Sequence, residues 1–293
     1  MTDSKASWTE YWRSGQTQCC FCKGDAVNIG AIWRRAFDAI PEGSAILDLA
    51  TGAGAVLQDA RRLGRGFRLV GVDFVDEVPG LDGAEMRGGV DLEELPFEDG
   101  AFDMVVSQFG FEYAARDAAA AEAMRVLACG GRLALLMHAD NTPPVQASRD
   151  RIARAEGLIG AHGLVTASAK LAEMPPGSQA SNALGEDIRG LFQKVVQGDR
   201  DETVDWALSF LNEVLTHRPT RPKEYAVENI RTLMDILGGY RDRMAAMVEA
   251  ALGTEDVEAL FKTFERDGLR EGAIEPVISE GDQIGWWFTG VKV

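Results

Sequence analysis

Residues 46–54 read Ile46-Leu47-Asp48-Leu49-Ala50-Thr51-Gly52-Ala53-Gly54, and no other segment constrains the fold as strongly. The short apolar run predicts a buried strand. It ends in a loop of Ala, Thr and Gly. Residues 55–63 then read as a helix. Strand, small-residue loop and helix start together make a cradle for an adenosyl ligand. Glycines let the backbone come close, and the unpaired N–H groups of the helix start face an anionic group. The loop alone fits any nucleotide-binding α/β domain, so the next segments of the chain decide the ligand.

The next strand is Phe67-Arg68-Leu69-Val70-Gly71-Val72-Asp73. Asp73 lies 73 − 54 = 19 residues after Gly54, the spacing at which a carboxylate at the second strand's tip meets a ribose. A third block, Asp91-Leu92-Glu93-Glu94-Leu95-Pro96-Phe97, is followed by Asp99–Asp103 and the strand Met104–Ser107. A fourth comprises the helix Asp117–Leu127, the turn Cys129-Gly130-Gly131 and the strand Arg132–His138.

These blocks in this order resemble the class I S-adenosylmethionine (SAM)-dependent methyltransferases, in the branch with small-molecule acceptors. The resemblance covers roughly residues 30–140 and resumes at 273–293. That family's first loop usually reads Asp-x-Gly-x-Gly-x-Gly; here Ala50 replaces the first Gly and Ala55 follows the last. The resemblance implies SAM as cofactor, with Asp48, Ala50, Gly52 and Gly54 at its methionine end and Asp73 on its ribose. It places Phe74 on the adenine face, Asp91 on the adenine amino group, the Leu92 N–H against a ring nitrogen and the Ser107 carbonyl near the amine. It also implies the fold, a doubly wound, seven-stranded, mostly parallel Rossmann-like α/β sheet in the order 3-2-1-4-5-7-6. A nicotinamide dinucleotide would want Gly-x-Gly-x-x-Gly, and Leu57 stands where the third Gly belongs. A SAM-binding module without turnover is the other alternative.

With 293 residues, 46% hydrophobic and 26% charged, the chain has the composition of a soluble globular protein with a large core. Its net charge of −16 argues against nucleic acid, which needs a basic stripe. The densest basic run, Arg218–Lys223, reads as a Pro-rich solvated loop. No apolar run approaches the ~20 residues that span a bilayer, and Met1-Thr2-Asp3-Ser4-Lys5 lacks a signal-peptide layout. The expectation is a cytoplasmic protein without membrane segments. Three of the four cysteines cluster at Cys19, Cys20 and Cys22; Cys129 is remote, with His138 as its one plausible partner. That spacing predicts neither a disulfide framework nor a metal site.

The chain divides into four stretches: N-terminal helices in 1–40, the SAM-binding core in 41–142, a helical insert in 143–270 and a terminal β-hairpin in 271–293. The first stretch predicts helices over Ser7–Arg13 and Val27–Ile40, and Trp8, Tyr11 and Trp12 share a helix face. This face either packs on the core or forms a lid over SAM, where Tyr11 or Arg13 meets the cofactor carboxylate. Helical spacing marks Val145–Ile159, Leu184–Val196, Asp201–Leu215, Lys223–Leu252 with a break at Gly238-Gly239, and Thr254–Phe264 capped by Thr254. The insert falls between strands five and six. It is expected to cap the acceptor pocket or to pair two copies as a homodimer.

Methyl transfer from a sulfonium requires alignment, exclusion of water and, for some acceptors, removal of a proton. His138, ending strand five, is the candidate base. Glu112 and Tyr113, in Phe109-Gly110-Phe111-Glu112-Tyr113, are expected to border the pocket, and the aromatics there suggest an apolar or ring-bearing small molecule.

Overall fold

The apolar run that opens the cradle is a central strand with helices against both of its faces. The structure, a computed structural model, describes residues 4–13 and 29–293. Two helices come first, α1 (Ser4–Arg13) and α2 (Ile29–Asp38). The core then runs β1 (Ala45–Leu49), α3 (Ala55–Arg62), β2 (Arg68–Val72), β3 (Ala84–Arg87), β4 (Phe102–Gln108), α4 (Arg116–Val126) and β5 (Leu127–His138). Next in the chain are α5 (Pro143–Ile159), α6 (Leu164–Glu173), α7 (Gln179–Gln197), α8 (Glu202–His217) and α9 (Lys223–Ala250). After them come α10 (Thr254–Arg266), β6 (Leu269–Ser279) and β7 (Asp282–Lys292).

The seven strands lie in the order β3-β2-β1-β4-β5-β7-β6, as the sequence implied. β1 pairs in parallel with β2 and β4, and β7 pairs antiparallel with both β5 and β6. Successive side chains of a strand face opposite layers. Leu47 and Leu49 therefore pack with Ala120, Met124 and Phe264 of α4 and α10, while Ile46 packs with Trp33, Phe37 and Leu57 of α2 and α3. The terminal hairpin turns on Glu280 (φ 52°) and Gly281 (φ 97°), two left-handed residues that match the twist of the flanking strands.

Ser148–Ala245 form a compact unit of their own; the described residues before Ser148 and Ala246–Val293 form the other. The helical unit has a separate core in which Leu164, Leu208, Leu211, Ile230 and Leu233 are buried. Asp201 caps α8 by accepting the Val204 N–H at 3.0 Å. Arg218 donates to the Leu171 and Met174 carbonyls at 2.7 and 2.6 Å, closing the end of α6. No helix among the described residues is long and apolar enough to cross a membrane.

The structure departs from the sequence reading at five places. α6 and β3 stand where residue spacing predicts no helix and no strand. α9 runs unbroken through Gly238 and Gly239, because buried Leu233 and Leu237 on the same helix offset the ~1 kcal/mol that each glycine costs. α10 is capped at Gly253, whose N–H donates to Asp256 at 3.1 Å, and not by Thr254. It packs on the sheet through Val257, Leu260 and Phe264, so it belongs to the α/β unit and not to the helical one. Cys19, Cys20 and Cys22 lie outside the described residues, and Cys129 is exposed.

Candidate functional site

At the carboxyl end of β1 the chain turns left-handed at Ala50 (φ 53°), Gly52 (φ 52°) and Gly54 (φ 76°). Hydrogen bonds hold this turn from both sides. Thr51 donates its hydroxyl to Asp48 at 2.7 Å and its N–H to the Val72 carbonyl at 2.9 Å. The Gly52 N–H donates to Asp73 Oδ2 at 2.7 Å, while Asp73 Oδ1 accepts the Val75 N–H at 3.1 Å. Asp73 thus ties the loop after β1 to the loop after β2. Gly52 has no room for a side chain, since an added Cβ would lie 2.5 Å from the Trp12 indole of α1. At Gly110 a Cβ would collide with that of Ala50, so the loops after β1 and β4 close up only because this residue is glycine.

The three loops border a cavity of about 540 Å³. Of the expected cofactor residues, Ala50, Asp73, Phe74, Asp91 and Leu92 line it. Asp48, Gly52, Gly54 and Ser107 stand behind that wall. Gly54 precedes α3 and backs onto Leu81 and Met86. Ser107 is fully buried, donating to the Leu49 carbonyl at 2.7 Å and accepting the Phe111 N–H at 3.1 Å. It fastens the end of β1 to the turn after β4.

Phe109, Glu112 and Tyr113 also line the cavity, as do Trp8 and Trp12 of α1. Trp8 stacks on Trp12 at 6.1 Å and meets Tyr113 edge-on at 6.0 Å, so the aromatic stripe faces the site. Lys5 lies 5.0 Å from the centroid of half-exposed Phe74 and pairs with Asp76 at 2.6 Å. Arg13 pairs with exposed Glu77 at 2.8 Å. Sequence reasoning missed Arg116 and Glu249 on the wall. Arg116 lies just past the aromatic run, within reach of a local reading. Glu249 arrives from the far end of α9 and carries no local signal.

Burial pushes the Asp48 carboxyl up to about 7, the Thr51 hydrogen bond opposes this, and the Asp73 charge adds to it. Asp73 is also raised, by burial first, with the Gly52, Val75 and Phe74 N–H groups opposing. Folded Asp48 keeps a proton that the unfolded chain gives up near pH 4. Its contribution to stability is therefore full below pH 4 and is lost as pH rises toward 7, at ~1.4 kcal/mol for each pH unit. Asp48→Asn keeps an oxygen for Thr51 and is expected to raise Tm at pH 8 and flatten this slope. Thermal melts of both proteins from pH 4 to 8 check it; parallel curves would refute the assignment.

Across the cavity wall, Glu112 reaches back to the end of β5. Its Oε1 accepts the His138 backbone N–H at 2.8 Å and lies 2.6 Å from His138 Nδ1. Both side chains are buried. Glu112 Oε2, His138 Nε2 and Asp48 Oδ1 have no hydrogen-bond partner among the described residues. His138 is not a wall residue of the cavity; Glu112 is. Among the described residues no cluster of three or more His, Cys, Asp or Glu has the arrangement of a metal site.

Residues 47–135 match the methyltransferase domain family. A demethylmenaquinone methyltransferase of Thermus thermophilus is 41% identical over 114 residues, 35% of this chain and 52% of the relative. A protein of the same name from Deinococcus radiodurans is 35% identical over 145 residues, 44% of this chain and 53% of the relative. The chain thus spans about half the length of the curated relatives it matches. A SAM-dependent methyltransferase from Aquifex aeolicus superposes over 100% of both chains with a TM-score of 0.47 and 12% identity.

Proposed function

We propose that this chain, whose residues 47–135 match the methyltransferase domain family, is a class I SAM-dependent enzyme that transfers a methyl group from SAM to a small ring-bearing or apolar molecule. The observation that carries the reading is Asp73, which lines the cavity at the tip of β2 while its carboxylate organises the glycine loop beside it.

The residues present fit the cofactor. The wall carries Asp73, Asp91, Glu112 and Glu249 and suits a cationic ligand, and buried Asp48 Oδ1 has no hydrogen-bond partner among the described residues. In this reading Asp73 accepts from the ribose hydroxyls, Phe74 packs on the adenine, Asp91 takes its amino group and the Leu92 N–H faces a ring nitrogen. Asp48, Ala50, Gly52, Gly54 and the Ser107 carbonyl surround the methionine end. When bound, SAM supplies a methyl already activated on sulfur. What remains for the protein is to align the acceptor, keep water out and remove a proton where the acceptor carries one.

Trp8, Trp12, Phe109 and Tyr113 give the cavity aromatic walls, which suit a planar ring. The relatives' name, demethylmenaquinone methyltransferase, points to the same chemistry, a quinol-type acceptor. The Ser148–Ala245 unit is assigned in this proposal to acceptor selection. Pairing of two copies through that unit is tested by sedimentation velocity.

The deciding experiment is calorimetric titration with SAM, S-adenosylhomocysteine and NADH in parallel. Saturable 1:1 binding of the two adenosyl ligands, with no heat from NADH, is expected. Binding of NADH alone would make the protein a dehydrogenase.

A further inference from the structure

We infer that Glu112 accepts the proton of the methyl acceptor, with His138 as its positioning residue. The inference rests on the methyltransferase reading and gives the acceptor a class, a molecule with a proton on its nucleophilic atom, such as a phenol, hydroquinone or amine. Glu112 sits in a short 3-10 turn, Phe111–Tyr113, and lines the cavity. His138 ends β5 behind it. The His138 backbone N–H donates to Glu112 Oε1 at 2.8 Å, and His138 Nδ1 lies 2.6 Å from the same oxygen. The other oxygen, Oε2, receives nothing from the described residues, although the residue is 3% exposed. A buried clamp between two loops needs no carboxylate. An amide would accept the same two hydrogen bonds and cost less to remove from water. An acid with one oxygen committed and one spare is instead suited to take up a proton.

The surroundings fix the pair in place. Phe109 holds a left-handed backbone (φ 54°) uncommon for a phenylalanine, anchored by its N–H to the Leu136 carbonyl at 2.6 Å. Its ring lies 4.5 Å from the His138 ring, and Tyr113 meets that ring edge-on at 6.1 Å. Strained backbone of this kind persists where site geometry requires it. Glu112 lines the cavity and His138 does not, so His138 acts through Glu112 and does not meet the acceptor itself. The balance is simple. The acceptor's X–H bond breaks and its proton ends on Glu112, while a new X–CH3 bond replaces the S–CH3 bond of SAM. The adenosyl sulfur leaves with the electron pair.

Glu112→Gln keeps the length of the side chain and an oxygen for both His138 donors. Methyl transfer from SAM to menadiol, catechol and an alkylamine is measured for the wild type, Glu112→Gln and His138→Gln. Glu112→Gln is expected to lower kcat at least about a hundredfold on any acceptor used, with S-adenosylhomocysteine affinity within about twofold of wild type. His138→Gln is expected to lower kcat while leaving KM unchanged. Nitrogen-15 NMR of the S-adenosylhomocysteine complex, without acceptor, is expected to show His138 protonated at Nδ1, with that signal displaced in Glu112→Gln. Wild-type turnover in Glu112→Gln, or a His138 that exchanges freely between tautomers, would overturn the inference. So would a wild type that binds S-adenosylhomocysteine yet methylates none of the three acceptors. Failure of the wild type to bind S-adenosylhomocysteine strikes the methyltransferase reading itself. Should Glu112→Gln not fold, the wild-type NMR result decides.

Discussion

Asp73→Ala is expected to weaken S-adenosylhomocysteine binding by about a hundredfold or more, the largest effect of any single change in the cavity. A hydrogen bond to a charged group contributes about 1.5–3 kcal/mol, and a carboxylate at a ribose accepts two. The substitution acts on the empty protein too. It frees the Gly52 and Val75 N–H groups that Asp73 now accepts, so the glycine loop loses its tie to the tip of β2. It also removes the negative neighbour that helps Asp48 keep its proton, so the pH-dependent loss of stability is expected to end at lower pH and to be smaller in total. Asp73→Asn retains one acceptor oxygen but presents an N–H to a backbone donor, and an intermediate loss is expected. Calorimetric titration of the three proteins checks the order. An Asp73→Ala protein that binds as tightly as wild type would remove Asp73 from the cofactor site.

Phe288→Ala is expected to cost about 3–5 kcal/mol, the range for emptying a buried phenylalanine site. Phe288 is fully buried on β7, with ring centroids 5.0 Å from Phe264 and 5.5 Å from Phe261 of α10. In register it faces Leu135 of β5 on one side and Ile274 of β6 on the other. The hole left by its ring is framed by a sheet and a helix that cannot collapse independently, which puts the loss toward the upper end. Urea unfolding followed by near-UV circular dichroism should show a lower midpoint with an unchanged slope. Ile278→Ala, half exposed on the same hairpin, is the control and should shift the midpoint little.

How each element is buried determines how much of it is legible in the residues. β1, β2, β4 and β5 are covered on both faces and read as apolar runs. The hairpin declares itself through two β-rich runs around Glu280-Gly281. β3, Ala84-Glu85-Met86-Arg87, is a short edge strand with no buried residue and no period to detect. α6 has the stripe Leu164, Val165, Ser168, Leu171 and Ala172, but its Val, Thr and Ser are poor helix formers in isolation, and only the separate helical core stabilises it. In the site, the loop residues and Asp73 are legible because motif spacing is local. The wall contributed by Glu249 is not, because it depends on where a long helix ends. The sequence places His138 correctly on β5, but its partner Glu112 can be recognised only from the contact between two loop ends.

The placement of β7 has a consequence for how the chain is made. β7 lies between β5 and β6, yet it starts 282 − 138 = 144 residues after β5 ends. A ribosome therefore releases β5 with one hydrogen-bonding edge open and keeps it so through the synthesis of the whole helical unit. An open, apolar edge strand is a template for pairing with another chain. The nascent protein is consequently most exposed to aggregation in that interval, and its yield of folded molecules rests on whatever shields one strand until the hairpin emerges.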